Sequence, residues 1–189
     1  MRVIAGEYKG RTLKVPKGSG TRPTIDRVRE SLFSTLASAR GGFDDAIVLD
    51  AFAGSGALGI EAISRGAAHA VFCEKDRAAL AAINDNLAFV DPERFTLVAG
   101  DVLKRPLAAP APFDLLFFDP PYAYPATTVL QILENLDSRG QLADGALVTY
   151  EFDSKAHVRL ALGDKTAFGL EYVTRKTFGT TAINIYRKA

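Results

Sequence analysis

"LDAFAGSGALG", residues 49–59, leaves a short apolar run, crosses three glycines and enters a helix-forming segment. Gly54, Gly56 and Gly59 have the G-x-G-x-x-G spacing of a strand-to-helix turn that brings backbone close to a ligand, and Glu74 follows 20 residues after Gly54. Such a turn belongs to a parallel sheet wound with helices, and the rest of the chain repeats the pattern. Apolar runs predict strands at 46–49 (AIVL), 70–74 (AVFCE), 95–99 (FTLVA), 113–118 (FDLLFF) and 146–151 (ALVTYE), with helices near 57–65, 77–89 and 126–136 between them. "LEYVTRK" and "TAINIYRK" flank "TFGT" and predict an antiparallel hairpin at the carboxyl end.

The glycine loop admits more than one ligand. A nicotinamide dinucleotide site is the sharpest rival, but that fingerprint usually runs its strand straight into the first glycine, whereas Asp50, Ala51, Phe52 and Ala53 intervene here. A carboxylate at Asp50 sits badly beside a pyrophosphate and well beside an ammonium or sulfonium charge. No Lys-Ser or Lys-Thr follows the glycines, which excludes a phosphate-binding P-loop.

"CEKD" (73–76), "AGDV" (99–102) and "DPPY" (119–122) each place an acid at a strand end. Open α/β sheets bind ligands at the carboxyl ends of their strands, so Asp50, Glu74, Asp101 and Asp119 should line one edge. Glu74 has two oxygens for a vicinal ribose diol. Asp101 suits an adenine amino group, with the Val102 backbone at the ring edge. Together they describe a nucleoside pocket without phosphates.

With 48% hydrophobic and 24% charged residues, composition is that of an ordinary globular protein, and no apolar run approaches the ~20 residues of a membrane span. No secretory signal is visible at the amino terminus, and one cysteine, Cys73, precludes an internal disulfide. The expectation is a cytoplasmic protein. Cys73, His69 and His157 are too few and too scattered for a zinc site, so no metal is expected. The net charge of +1 conceals eight cations against three acids in residues 1–30. A basic end on an acidic body suits an approach to a polyanion, although such a cluster is equally an ordinary solvated surface. Residues 2–15 alternate around Gly6 and Gly10 and predict a short hairpin or extended arm, followed by the loop "KGSGTRP". Ile25, Val28, Leu32 and Leu36 then fall at helical spacing, with Thr24 as the expected cap and "RGG" as the stop. The division expected is an arm with its loop over 1–23 and one domain over 24–189.

Asp50 with "FAGSGALG", then Glu74, Asp101 and "DPPY", resemble the successive motifs of class I S-adenosylmethionine-dependent methyltransferases that act on amino groups. "MRVIAGEYKGRTLKVP", "TRPTIDRVRESLFSTL", "VFCEKD", "FFDPPY" and "FGTTAINIYR" are further similar, in order and spacing, to the bacterial RsmD family, which methylates the exocyclic N2 of one guanine in 16S ribosomal RNA. The resemblance implies a Rossmann-like fold: a mostly parallel seven-stranded sheet with an antiparallel C-terminal hairpin, helices on both faces and a small N-terminal β-hairpin arm. It implies a cofactor site at Asp50, Phe52, Gly54, Gly56, Glu74, Lys75, Asp101 and Val102, and catalysis by Asp119, Pro120, Pro121 and Tyr122. Lys9, Arg11, Lys14, Arg22, Arg27 and Arg29 would hold RNA phosphates of 16S RNA or of an assembling 30S subunit, with the enzyme a monomer. Methylation of DNA adenine or cytosine, or of a protein glutamine, uses the same motif and stays open beside the nicotinamide-dependent oxidoreductase. Family members often carry Tyr-Gly where this chain has Phe178-Gly179, so any hydrogen bond from that hydroxyl is missing.

Overall fold

The computed structural model describes residues 1–16, 23–121, 124–155 and 169–189. Helix α1 (Pro23–Arg40) opens the domain. It already includes Pro23, so Thr24 lies inside the helix instead of capping it; proline's fixed φ and missing N–H suit a first helical turn. Leu32, Phe33 and Leu36 form its buried face. Five strands follow, with helices after three of them: β1 (Ile47–Asp50), α2 (Ala57–Ser64), β2 (His69–Glu74), α3 (Arg77–Leu87), β3 (Phe95–Ala99), β4 (Phe113–Phe118), α4 (Ala126–Ser138) and β5 (Leu142–Asp153). The chain ends in β6 (Leu170–Phe178) and β7 (Thr181–Lys188).

These strands make one seven-stranded sheet in the order β3-β2-β1-β4-β5-β7-β6. β1 to β5 run parallel, and β7 is antiparallel to both β5 and β6. The expected hairpin is therefore present, and it inserts its second strand between β5 and β6. Strands β3 and β4 have the bounds expected from the apolar runs; β1 is displaced by one residue to include Asp50, and β5 is longer than 146–151 because it pairs with β4 from Leu142 and with β7 as far as Asp153. Alternation along the strands feeds two apolar cores, one on each face. Phe33, Phe72 and Phe117 lie in the first, while Leu49, Leu116, Phe118 and Leu133 lie in the second. Among the described residues no helix is long and apolar enough to cross a membrane.

The glycine loop takes its shape from packing. Gly56 stands at the start of α2 with φ 78°, and a Cβ there would lie 2.8 Å from the Ile83 side chain. Gly59, one turn on, brings α2 against β2, since its Cβ would fall 2.2 Å from the Phe72 ring. Asp76 caps α3 by accepting from the Ala79 N–H at 2.9 Å.

The N-terminal segment forms a short hairpin: Arg2 and Thr12 make an antiparallel bridge, the Val3 N–H donates to the Arg11 carbonyl at 3.0 Å, and the Leu13 N–H donates to the Met1 carbonyl at 2.9 Å. Other amides of the segment reach α2. Ile4 and Ala5 donate to the two oxygens of Glu61 at 2.7 and 3.0 Å, Glu7 donates to the Ser64 carbonyl at 2.7 Å, and Tyr8 donates to Ser64 Oγ at 2.9 Å. Val3 and Leu13 are buried in the same core as Phe33 and Phe72. Glu61 itself is 0% exposed, accepts from Arg65 Nε at 2.7 Å and lies 3.9 Å from Arg29 Nε.

Removing one partner of a buried ion pair strands the other, so Glu61→Gln should lower stability by about 3 kcal/mol or more in denaturant titration. Gly59→Ala should cost about 1–3 kcal/mol in the same measurement, because the methyl must displace Phe72 from a filled core.

Candidate active site

The four acids expected at strand ends do lie along one edge. β1 is flanked by β2 and β4, whose chains then leave in opposite directions, and the sheet opens a crevice there. A cleft of about 450 Å³ occupies it, lined by Phe52 and Gly54 from the glycine loop, Glu74 and Lys75 after β2, Asp101 and Val102 after β3, and Asp119, Pro120 and Pro121 after β4.

Glu74 is more committed than the sequence suggests. Its Oε2 accepts from the Gly54 N–H at 2.7 Å, and its Oε1 accepts from the N–H groups of Lys75 and Asp76 at 2.7 and 2.8 Å. A carboxylate offers about four acceptor positions. Glu74 therefore ties down the glycine loop and keeps acceptor capacity on Oε2 for a hydroxyl in the cleft. Asp101 accepts from the Leu103 N–H at 3.0 Å through Oδ1, and its Oδ2 stands 3.8 Å from Lys75 Nζ. Lys75 also donates to the hydroxyl of Tyr124, whose ring meets the edge of Phe52 at 5.6 Å. Tyr124 is a cleft residue that sequence reasoning missed. The signal was the second tyrosine of "PPYAY", two positions after the one chosen. Tyr122 lies outside the described residues.

Two expected ligands stand elsewhere. Gly56 lines neither this cleft nor the second cavity described below, and serves the packing against Ile83. Asp50 is buried, accepts from the Gly59 N–H at 3.0 Å, and faces a second cavity instead of the first. Burial pushes its carboxyl up to about 7 against the pull of that hydrogen bond, and the charges of Asp119 and Glu74 add to the rise. Cys73 borders the first cleft, but burial and the neighbouring acids push its thiol up to about 12, so it remains protonated.

The second cavity, about 660 Å³, shares Phe52, Gly54 and Asp119 with the first and adds Arg29, Glu151 and Phe178. Asp119 thus stands where the two meet. It is exposed to them, with packed protein on its other sides pushing its carboxyl up to about 6. Glu151, at the end of β5, was not singled out, although "ALVTYE" finishes on an acid as the other strands do. Burial and the charge of Asp119 push it up to about 8. Among the described residues no group of His, Cys, Asp or Glu side chains could hold a metal ion.

Of the cations assigned to RNA, Lys9, Arg11, Lys14 and Arg27 are exposed. Arg11 rests over the Phe89 ring at 5.3 Å, and Lys14 pairs with Asp85 at 2.7 Å. Arg29 is a correction: it is 3% exposed, and its guanidinium engages Glu61, Asp26 and the Arg2 carbonyl, so it cannot also reach an RNA backbone. Arg22 and His157 lie outside the described residues.

The family model described as conserved hypothetical protein 95 matches residues 1–187. Ribosomal RNA small subunit methyltransferase D of Escherichia coli K12 is 40% identical over 151 residues, which cover 80% of this chain and 74% of that one. YlbH of Bacillus subtilis is 36% identical over 192 residues, covering 100% of this chain and 99% of its own. The solved structure of Escherichia coli yhhF superposes with a TM-score of 0.79 at 34% identity, over 100% of this chain and 97% of that one. A match running from the N-terminal segment to the last strand, through both cavities and the DPPY strand end, places the chain in this family, the RsmD family of class I methyltransferases.

Proposed function

We propose that the protein transfers a methyl group from S-adenosylmethionine to the exocyclic N2 amine of a guanine in 16S ribosomal RNA. The observation that carries this reading is the position of Asp119, a carboxyl with no hydrogen-bond partner among the described residues, at the junction of two cavities. Its support is the membership of the whole chain in a family with relatives named for ribosomal RNA methylation.

The residues of the first cleft fit the cofactor. Glu74 retains an acceptor for a ribose hydroxyl, Asp101 and the Val102 backbone suit an adenine edge, and Phe52 and Tyr124 supply aromatic surface. Lys75 closes that side through Tyr124. Bound there, S-adenosylmethionine supplies a methyl group on a sulfonium, an already activated leaving group. The protein's task is to prepare the amine. Its lone pair is delocalised into the base, and acceptors that grip its hydrogens turn that pair outward. Asp119 takes one hydrogen and the Pro120 carbonyl another, while the two prolines fix φ and hold both in place. Tyr122 stacks on the extruded base. Orientation supplies much of the rate, and the proton released by the nitrogen passes to Asp119 or to solvent.

Lys9, Arg11, Lys14 and Arg27 present an exposed cationic surface for RNA phosphates. We assign the enzyme to the cytoplasm as a monomer, acting on 16S RNA or on an assembling 30S subunit.

The test is to incubate the protein with labelled S-adenosylmethionine and small subunits from a strain lacking the enzyme, then identify the methylated nucleoside by mass spectrometry. N2-methylguanosine is expected, and another nucleoside would overturn the acceptor. Asp119→Ala should lower transfer by about 100-fold or more while calorimetry shows cofactor affinity retained. Because Asp119 accepts best as an anion, and its carboxyl is pushed up to about 6, the transfer rate should rise with pH through that value and the rise should vanish in Asp119→Asn.

A further inference from the structure

The second cavity contains a carboxyl that the reaction above does not use. Glu151 is half-buried at the end of β5, and among the described residues it has no hydrogen-bond or ion-pair partner. A group of that kind is costly to keep unless something else completes it. The neighbouring charged groups on the wall are Asp50 at the end of β1, Asp119 after β4 and Arg29 on α1, while Met1 brings the amino terminus. Arg29 already faces Glu61 and Asp26, and its Nη1 has no hydrogen bond. Asp50 holds the Gly59 N–H. The two carboxyls left open to a ligand are Asp119 and Glu151.

The rest of the wall is apolar or small. Phe52, Val28, Leu58 and Phe178 offer flat or aliphatic surface, and Thr180 and Thr181 close the β6–β7 turn. At about 660 Å³, the cavity falls within the roughly 300–1,000 Å³ range of small-ligand sites. It is a largely apolar slot in which, besides the engaged Asp50 and Arg29, two acidic groups lack a partner.

We propose that this cavity seats the acceptor guanine and that Glu151 reads its imide edge, N1–H and O6, while Asp119 grips the adjoining N2 amine. The proposal rests on the guanine reading above and adds the residue that selects the base. Guanine is the base that presents N2–H, N1–H and O6 side by side. Burial raises both carboxyls, and the charge of Asp119 raises Glu151 further, so at neutral pH the pair holds one proton, favoured on Glu151. Asp119 as the anion accepts from N2–H. Glu151 as the acid accepts from N1–H through its carbonyl oxygen and donates its own O–H to O6. Cytosine and adenine place a bare ring nitrogen beside the amine, so one of these two bonds goes unmade.

The experiment uses the full chain, small subunits from a strain lacking the enzyme, and two variants. Glu151→Ala should lower kcat/KM for the subunits by about 10- to 100-fold, with cofactor affinity by calorimetry and Tm unchanged. Glu151→Gln carries an acceptor and a donor side by side, as the protonated acid does, and should retain most activity at neutral pH. Wild-type transfer should fall as pH rises through about 8, when Glu151 loses its proton, and Glu151→Gln should lack that fall. A role confined to packing leaves the alkaline limb in place in Glu151→Gln, which overturns the proposal even if Glu151→Ala does not fold; wild-type activity in a folded Glu151→Ala overturns it as well. A wild-type product other than N2-methylguanosine removes the underlying reading, and is seen before either variant is measured.

Discussion

Glu61 has no contact with solvent, yet two backbone amides of the N-terminal segment and two arginines converge on its carboxylate. An ionised group can stay in such a place only if its acceptor positions are filled, and here they are filled from three directions at once. Ile4 and Ala5 come from the segment before α1, Arg29 from α1, and Arg65 from the end of α2. Moving any of these elements would leave a buried charge incomplete. Since α2 is the helix that the glycine loop opens, the same carboxylate also fixes where Gly54 and Asp50 stand relative to the rest of the sheet.

The two ends of β4 show how the fold treats acids. Asp114, near its start, accepts from the Ile47 N–H at 3.0 Å and pairs with Arg40 at 2.7 Å. Asp119, just past its end, has no such partner among the described residues. The difference follows from topology. At the amino ends of parallel strands the chain arrives through loops that pack closely, whereas at the carboxyl ends the connections diverge and leave a crevice. Asp119 and Glu151, placed at that edge, keep acceptor capacity that would be consumed anywhere else, and their raised pKa values are the physical trace of it.

Much of this was legible in the residues. Apolar runs bounded by glycines and acids gave the strands, because a sheet covered on both faces demands unbroken hydrophobic stretches. The order of the acids then gave the functional edge. What a linear pattern could not supply was the side to which each acid points. Asp50 and Glu74 are both the last residues of strands, but Asp50 turns to the second cavity and Glu74 to the first. Arg29 resembled its basic neighbours until burial distinguished it, and at helical spacing it stands one turn behind the apolar Phe33. Glu151 ended a strand like the others, yet it becomes significant only because β4 and β5 are adjacent and bring it to the same cavity as Asp119.

The N-terminal segment separates anchoring from charge. Its backbone is held by Glu61 and Ser64, and by Asn86, which accepts from the Lys14 N–H and donates to the Lys14 carbonyl, each at 2.8 Å. Lys9 and Arg11 remain exposed because none of these bonds needs a cationic side chain. The Asn86 amide also donates to the carbonyl of Ser55, inside the glycine loop, at 2.8 Å. One buried side chain on α3 therefore sets both the position of the basic surface and that of the loop bordering both cavities. On the reading proposed above, an RNA backbone gripped by the first is tied to a base entering the second through this one packed side chain.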